Sequence, residues 1–280
     1  MELIYHAMET ALPFSWISYT FMKNALLAVL LMTPLFGLLS TMVVSSRMAF
    51  FSDSLGHGAF TGIAVGTIVG LVSPLAALVI FSAAFALLIT YIKRRTAASA
   101  DTVIGVFSSS AIAVGLMLMS RGGGFSKYSP FLIGDILSIT PADLAGLLVV
   151  DVLVVCGWAL LFNRLLLLSV NPSFARSRGV SVFTVEAAFA VLLAVVVAVS
   201  IQWVGILIIN ALLVLPGAAA RNLARNVKEY HVLSVSAALV SGLAGLFFAY
   251  MLGIAAGASI VATASILFFL SLAVRVRYRR

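Results

Sequence analysis

Long apolar stretches separated by short polar connections constrain the fold of this 280-residue chain more than any other feature. A helix needs about 20 mostly apolar residues to cross a bilayer, where every backbone polar group must be satisfied internally. Nine stretches meet this requirement. The pair that meets near Gln202 is either a tight hairpin or includes a re-entrant piece, so counts of eight or ten spans stay open. The nine stretches cover residues 22–44, 48–72, 74–92, 103–119, 142–162, 183–201, 204–220, 231–252 and 258–274.

The composition excludes a soluble globular protein. Charged residues make up 9% of the chain and hydrophobic residues 63%, whereas soluble domains carry about 25% charged residues. We therefore predict an all-α polytopic membrane protein, a helical bundle with a single transmembrane domain over residues 1–280. Residues 1–20 have no basic n-region and are not typical of a signal peptide, so we expect an external or interfacial segment there.

The distribution of basic residues predicts the orientation. With a cytoplasmic C-terminus, nine spans put 14 of the 17 Lys and Arg residues in cytoplasmic connections and 3 outside. This asymmetry follows the positive-inside rule. The net charge of +8 is then explained by orientation signals and by contacts to anionic lipid, so we expect no nucleic-acid partner.

An acid and an imidazole lie four residues apart inside the second apolar stretch, in FFSDSLGHGAF (50–60). If the helix starts at the cytoplasmic surface near Arg47, Asp53 lies roughly 9 Å and His57 roughly 15 Å into the membrane. The spacing puts both side chains on one helix face. Ionisable groups inside lipid are costly and are functional by default.

Three interpretations of the Asp53–His57 pair stay open on the residues alone. A carboxylate oxygen and an imidazole nitrogen suit a divalent transition metal, and a two-fold dimer would double them to four ligands. The pair could instead hydrogen-bond and only specify packing, or it could relay protons. Gly56, Gly58 and Gly62 are expected to leave room beside the pair.

Other acids are weaker candidates. Asp151, in GLLVVDVLVVCGW (146–158), is either a second metal or proton group or a hydrogen-bond partner of a neighbouring helix. Asp101 stands at the start of a predicted span, where a negative charge favours the helix N-terminus. Glu186 lies near a cytoplasmic helix end, and we expect a terminus or interface charge there.

Motifs typical of enzymes are absent from the sequence. It contains no GxxxxGK[ST] phosphate loop, no His-Glu-x-x-His and no Gly-x-Ser-x-Gly. We therefore predict that the chain is not an enzyme.

Five stretches, in order along the chain, resemble one known family. The resemblance extends over roughly residues 20–275, and the family is the membrane permease subunit of the ATP-binding-cassette importers for manganese, zinc or iron. The stretches are RMAFFSDSLGHGAFTGIAVG (47–66), DTVIGVFSSSAIAVGL (101–116), FLIGDILSITPADL (131–144), SVNPSFARSRGVSV (169–182) and WVGILIINALLVLPGAAARNLARN (203–226).

The resemblance implies a homodimer in the cytoplasmic (inner) membrane of a prokaryote. Two cytoplasmic ATPase subunits would drive transport, and an extracellular or periplasmic metal-binding protein would deliver the ion. The chain would hold no permanently bound cofactor. Its cargo would be Mn, Zn or Fe, moved by alternating access.

The resemblance also assigns roles to residues. Asp53 and His57 match the family's metal-coordinating positions, and Asp135 matches a Gly-Asp element associated with zinc members. Together with Asp151 and Asp101, which the residues alone single out, Asp135 is expected as an additional acid of the pathway. Residues 163–182 match the cytoplasmic loop whose short helix docks into the ATPase. The coupling positions in this loop are Asn171, Pro172, Phe174, Ala175, Arg176, Arg178 and Gly179.

The loop departs from the family pattern at Asn171 and Ser173, which are neutral where family members commonly carry acids. Three other functions compete with the metal permease. A proton- or sodium-driven secondary transporter would use Asp53, His57 and Asp151 as a relay and would need no nucleotide. A siderophore or cobalamin permease would not need the Asp53–His57 pair, and a structural membrane protein would transport nothing.

Overall fold

The computed structural model describes residues 2–11, 15–69, 74–121 and 134–278. Within these ranges the chain forms helices and turns and no β-strand, which confirms the predicted all-α class. Short 3-10 helices lie at Ser15–Ser18 and Ile136–Ser138. The α-helices are α1 Glu2–Ala11, α2 Thr20–Ser45, α3 Ala49–Val69, α4 Pro74–Arg95, α5 Ala100–Arg121, α6 Pro141–Val170, α7 Pro172–Ser177, α8 Val182–Val204, α9 Ile206–Leu223, α10 Val227–Leu252 and α11 Ala256–Tyr278.

Seven of the described helices are long and apolar enough to cross a membrane, namely α2, α4, α5, α6, α8, α10 and α11. A shorter apolar helix, Ile208–Leu223 within α9, accompanies them. Each of the nine predicted apolar stretches overlaps a helix, because such a stretch satisfies its backbone groups in lipid only as a helix. Since α3 and α9 are not among the seven, the count of nine membrane spans stays a prediction.

The junction near Gln202 is a one-residue break. Helix α8 continues to Val204, Gly205 adopts φ 79° and ψ 158°, and α9 begins at Ile206. This backbone conformation is essentially restricted to glycine. Helix α9 then packs mainly against α2 and α11 rather than against α8. The two segments are therefore not a closely packed hairpin.

Local capping sets the start of α6. The Asp143 backbone N–H donates to Thr140 Oγ1 at 3.3 Å, and Asp143 Oδ2 accepts from the Thr140 N–H at 2.9 Å. This reciprocal pair is a capping box. Pro141 lies in the first turn of α6. The backbone N–H groups of a first turn have no intrahelical acceptor, so a proline there removes no helix hydrogen bond. The Pro-x-Asp opening in the sequence therefore marks the start of this helix.

The core lies around α2 and α8. Helix α2 packs against α6, α9 and α10, and α8 packs against α3, α4 and α6. Phe36 of α2 and Phe189 of α8 are fully buried. At Gly217 of α9 the backbones come so close that its N–H donates to Ser40 Oγ at 2.8 Å. Such contacts hold helices together where apolar burial gives no driving force in lipid.

The outer helices expose large apolar side chains. Leu153 and Leu160 of α6 and Ile266 and Phe269 of α11 are all more than half exposed. Soluble proteins rarely expose apolar surface of this extent. Helices that expose apolar side chains and satisfy their own backbone hydrogen bonds are what contact with lipid requires.

Helix α1 is tied to the start of α2. The Lys23 ammonium donates to Glu9, and the Tyr5 hydroxyl donates to Asn24 Oδ1. The hydrogen bond from Lys23 and its charge hold the pKa of the Glu9 carboxyl below its ordinary value. The pair therefore stabilises this contact above the ordinary pKa of a glutamate, and protonation of Glu9 at low pH removes that contribution. The external or interfacial location of residues 1–20 stays a prediction.

We expect Gly245→Ala to separate α10 from α11. A Cβ at Gly245 would lie 2.4 Å from the Cα of Ile260, so backbone atoms would have to move. Overpacking of this kind costs about 1–3 kcal/mol of the free energy of unfolding. Thermal unfolding of the purified protein in detergent measures the effect.

The matched control is Gly146→Ala in α6. A Cβ at Gly146 meets nothing within 4 Å, and alanine is the better helix former. This control should leave the unfolding midpoint unchanged or raise it. Equal midpoints for the two variants would contradict the close approach of α10 and α11.

Candidate functional site

Helix α3 presents Asp53 and His57 one turn apart on the same face, as predicted. His57 Nε2 lies 3.7 Å from Asp53 Oδ2, which is longer than a hydrogen bond. The side chain of Asp53 is 46% exposed and that of His57 is 28% exposed. One chain therefore leaves both groups partly exposed on one side of a helix that carries no other charged or ionisable residue.

A third polar side chain joins this pair from α9. The Asn210 Nδ2 amide donates a hydrogen bond to Asp53 Oδ1. Asn210 is not among the site residues predicted from the sequence. The signal was one amide in the apolar run ILIINALL (206–213), and an uncharged group in such a run is easily assigned to packing.

Glycines on α3 let the neighbouring helices approach the site. A Cβ at Gly56 would lie 2.8 Å from Ile206 Cγ2 of α9, and a Cβ at Gly58 would lie 2.6 Å from Phe85 Cδ1 of α4. The space that these glycines leave is therefore filled by α9 and α4. The close contact at Gly56 brings α9 near enough for Asn210 to reach Asp53.

The pair has the chemistry of a transition-metal site but is incomplete. A tetrahedral ion about 2.1 Å from each of two ligands holds them about 3.4 Å apart, close to the observed Oδ2–Nε2 separation. Over the described residues, however, no group of three or more His, Cys, Asp or Glu side chains could hold a metal ion. Further ligands would have to come from outside this set, such as a second copy, an amide oxygen or water.

The other predicted acids do not join this pair in one chain, since no such group of three exists in the part of the chain described. Asp135 Oδ1 accepts from the Leu137 N–H at 3.0 Å and caps the 3-10 helix. Asp101 is exposed in the first turn of α5, as its predicted electrostatic role requires. Asp151 lies partly exposed on α6. The role of these three acids in the pathway stays a prediction.

Glu186 is an interface charge, as its position suggested. One carboxylate oxygen lies 3.5 Å from Lys93 Nζ and 3.3 Å from Arg94 Nη2, and it joins α8 to the end of α4. Lys93, Glu186, Arg47 and Pro172 all line a cavity of about 350 Å³ next to the start of α7. Basic and acidic side chains thus lie beside the first half of the loop predicted to couple to an ATPase.

The predicted coupling loop contains the short helix α7. Asn171 Oδ1 accepts from the N–H groups of Ser173 and Phe174, each at 3.0 Å. The neutral residue at this position therefore caps α7 as an aspartate would. Gly179 has φ 76°, a conformation that favours glycine, and lies in the turn between α7 and α8. Phe174, Arg176 and Arg178 are exposed, and Ala175 is buried.

Comparisons with known proteins give matches over nearly the whole chain. A profile of the ABC 3 transport family matches residues 18–275. The manganese import system permease protein ScaB of Streptococcus parasanguinis is 32% identical over 262 residues, which are 94% of this chain and 93% of that protein. The high-affinity zinc uptake system membrane protein ZnuB of Haemophilus influenzae is 29% identical over 254 residues, 90% of this chain and 97% of that protein.

A solved structure gives the same result for the fold. PsaBC from Streptococcus pneumoniae in complex with Fab contains a chain that matches with a TM-score of 0.80 and 28% identity. The match covers 97% of this chain and 95% of that chain. The arrangement of helices described above is therefore shared with a structure of known relatives.

We expect Asn171→Ala to loosen α7, because two backbone N–H groups lose their acceptor. Loss of an N-cap costs about 1 kcal/mol. Asn171→Asp is the control, since it keeps the acceptor oxygen. Hydrogen–deuterium exchange of the peptide covering 171–179 measures the difference. Equal exchange rates in the two variants would show that the cap does not hold this helix.

Proposed function

Because the chain belongs to the ABC 3 transport family, we propose that it is the membrane permease subunit of an ATP-driven importer of manganese, zinc or iron. The chain itself is not an enzyme, and ATP hydrolysis belongs to separate subunits. A cytoplasmic ATPase dimer and an extracellular or periplasmic metal-binding protein are its partners. The names of its relatives, which include a manganese import permease and a zinc uptake membrane protein, support this assignment.

One observation carries the ion-transport proposal. Asp53 and His57 point to the same side of α3 and are partly exposed, and His57 Nε2 lies 3.7 Å from Asp53 Oδ2. The sequence predicts that this segment is a membrane span. An ionisable pair left open in lipid is unfavourable, so another surface must cover it. A transported divalent cation between these ligands would offset the charge of Asp53.

A second copy of the chain is the covering surface that we propose. On a two-fold axis beside α3, two carboxylates and two imidazoles would surround the ion, enough for a tetrahedral site. The site would then open alternately to either side as the two subunits move. No permanently bound cofactor is required, because the ion is the cargo.

The loop at 163–182 is the proposed contact with the ATPase. Its short helix α7 is capped by Asn171, carries the exposed Arg176, is followed at once by the exposed Arg178, and begins two residues after the end of the long helix α6. Nine spans with a cytoplasmic C-terminus put this loop in the cytoplasm, and the excess of basic residues supports that orientation. The membrane is then the inner membrane of a prokaryote.

We expect ATP-dependent uptake to need both Asp53 and His57. Vesicles holding the chain with its ATPase and binding protein are supplied with labelled Zn²⁺ or Mn²⁺ outside, with and without ATP, and the label that enters is measured. Asp53→Ala and His57→Ala should each lower uptake by about 100-fold or more. Even the loss of residues that only orient metal ligands lowers metal affinity or activity by about 10–100-fold. The ion taken up with ATP identifies the cargo.

Two outcomes would overturn this proposal. Uptake that does not depend on ATP but depends on a proton or sodium gradient indicates a secondary transporter. Normal uptake in both variants removes the pair from the ion path and favours a permease for a larger, chelated substrate. Unchanged unfolding midpoints in the two variants are the control for folding.

The dimer axis can be tested by cross-linking. Phe50 is 67% exposed and lies three residues before Asp53 on the same face. In a Cys156→Ser background, Phe50→Cys should give a disulfide-linked dimer in membranes. Leu160→Cys on α6, also exposed at 81%, is the matched control and should stay monomeric. Cross-linking through Leu160→Cys alone would move the interface to α6.

A further inference from the structure

The one polar side chain that reaches Asp53 from another helix is Asn210, within the described residues. Asn210 stands on α9 between apolar neighbours, and α9 reaches α3 at the close contact between Gly56 and Ile206. An amide in an apolar helix costs free energy unless it is hydrogen-bonded. Its partner is the carboxylate that we assign to the ion.

The orientation of the Asn210 amide follows from this contact. Its Nδ2 donates to Asp53 Oδ1, and the opposite orientation would set an amide oxygen against a carboxylate oxygen. The remaining Asn210 Oδ1 is buried and has no hydrogen-bond partner among the described residues. Buried polar atoms of this kind are uncommon and call for an explanation.

Because of this contact, the two carboxylate oxygens of Asp53 have different surroundings. Oδ1 is engaged by Asn210, and Oδ2 faces His57 Nε2 at 3.7 Å. The carboxylate therefore offers one free oxygen toward the imidazole, instead of two. Rotation about the carboxylate bond would break the hydrogen bond from Asn210.

We propose that Asn210 is a positioning residue that holds Asp53 as a single-oxygen ligand and thereby sets which ion the permease prefers. The proposal deepens the permease function and rests on it. Partners outside the ligand shell orient the ligands of a metal, and their loss commonly costs 10–100-fold in affinity or activity. Selectivity among divalent ions depends on ligand number and geometry.

Removal of the amide donor should raise the KM for the ion more than it lowers the maximal rate. Asn210→Leu keeps the approximate size of the side chain, and Asn210→Ala avoids any clash if the leucine does not fold. We expect about a 10–100-fold rise in KM for the preferred ion. The ratio of Zn²⁺ to Mn²⁺ uptake should also move toward one, because a freed carboxylate accepts more than one geometry. Asn210→Gln retains a donor and should lie closer to wild type in both quantities.

A matched control is available on the same helix. Asn222 lies three turns further along α9, where its amide donates to Ser271 and its Oδ1 accepts from Arg275. Asn222→Leu removes an amide of equal size away from the site. It should leave the KM and the ion ratio unchanged, even if it lowers the unfolding midpoint.

The vesicle uptake assay with labelled Zn²⁺ and Mn²⁺ decides the matter when Asp53→Ala is run beside these variants. Loss of uptake in Asp53→Ala together with a changed KM and ion ratio in Asn210→Leu supports the proposal. A second outcome would overturn the role of Asn210 and leave the permease function intact. In that outcome Asp53→Ala loses uptake, but folded Asn210→Leu or Asn210→Ala keeps the wild-type KM and ion ratio. Normal uptake in Asp53→Ala overturns both.

Discussion

A carboxylate in an apolar helix is the constraint on which the site depends. An unpartnered carboxylate is costly in lipid, and two helices of the chain place polar groups beside Asp53. Helix α3 supplies His57 on the next turn, and α9 supplies the Asn210 amide. The contact is reached because Gly56 has no side chain to keep Ile206 away. The chemistry of the site therefore depends on how closely α9 packs against α3.

Helix α9 is in turn fixed by polar contacts on its other sides. Gly217 is hydrogen-bonded to Ser40 of α2, and Asn222 is hydrogen-bonded to Ser271 and Arg275 of α11. Hydrogen bonds and close backbone contacts hold membrane helices where the hydrophobic effect does not. Any displacement of α9 relative to α3 changes the Asn210–Asp53 contact. The proposed access change would thus act on the ligand geometry directly.

Much of the fold could be predicted from the sequence, because a span must be apolar over about 20 residues and that pattern is local. The capping box at Thr140 and the same-face spacing of Asp53 and His57 are also local rules. The contact of Asn210 with Asp53 joins residues 157 apart in sequence and needs knowledge of which helices touch. The capping contact of Asp135 with the Leu137 N–H is also local, and its role as an acid of the pathway stays a prediction.

The described residues of one chain leave the proposed site incomplete, and this bears on how an importer would work. A permease must capture an ion and then release it, so a site that binds the ion too tightly cannot complete transport. One subunit offers a single free carboxylate oxygen and one imidazole, 3.7 Å apart and partly exposed. In the proposed dimer the site is complete only while both copies of α3 face each other. Moving the copies apart removes half of the ligands at once, and the binding free energy falls without any change in the chemistry of a residue.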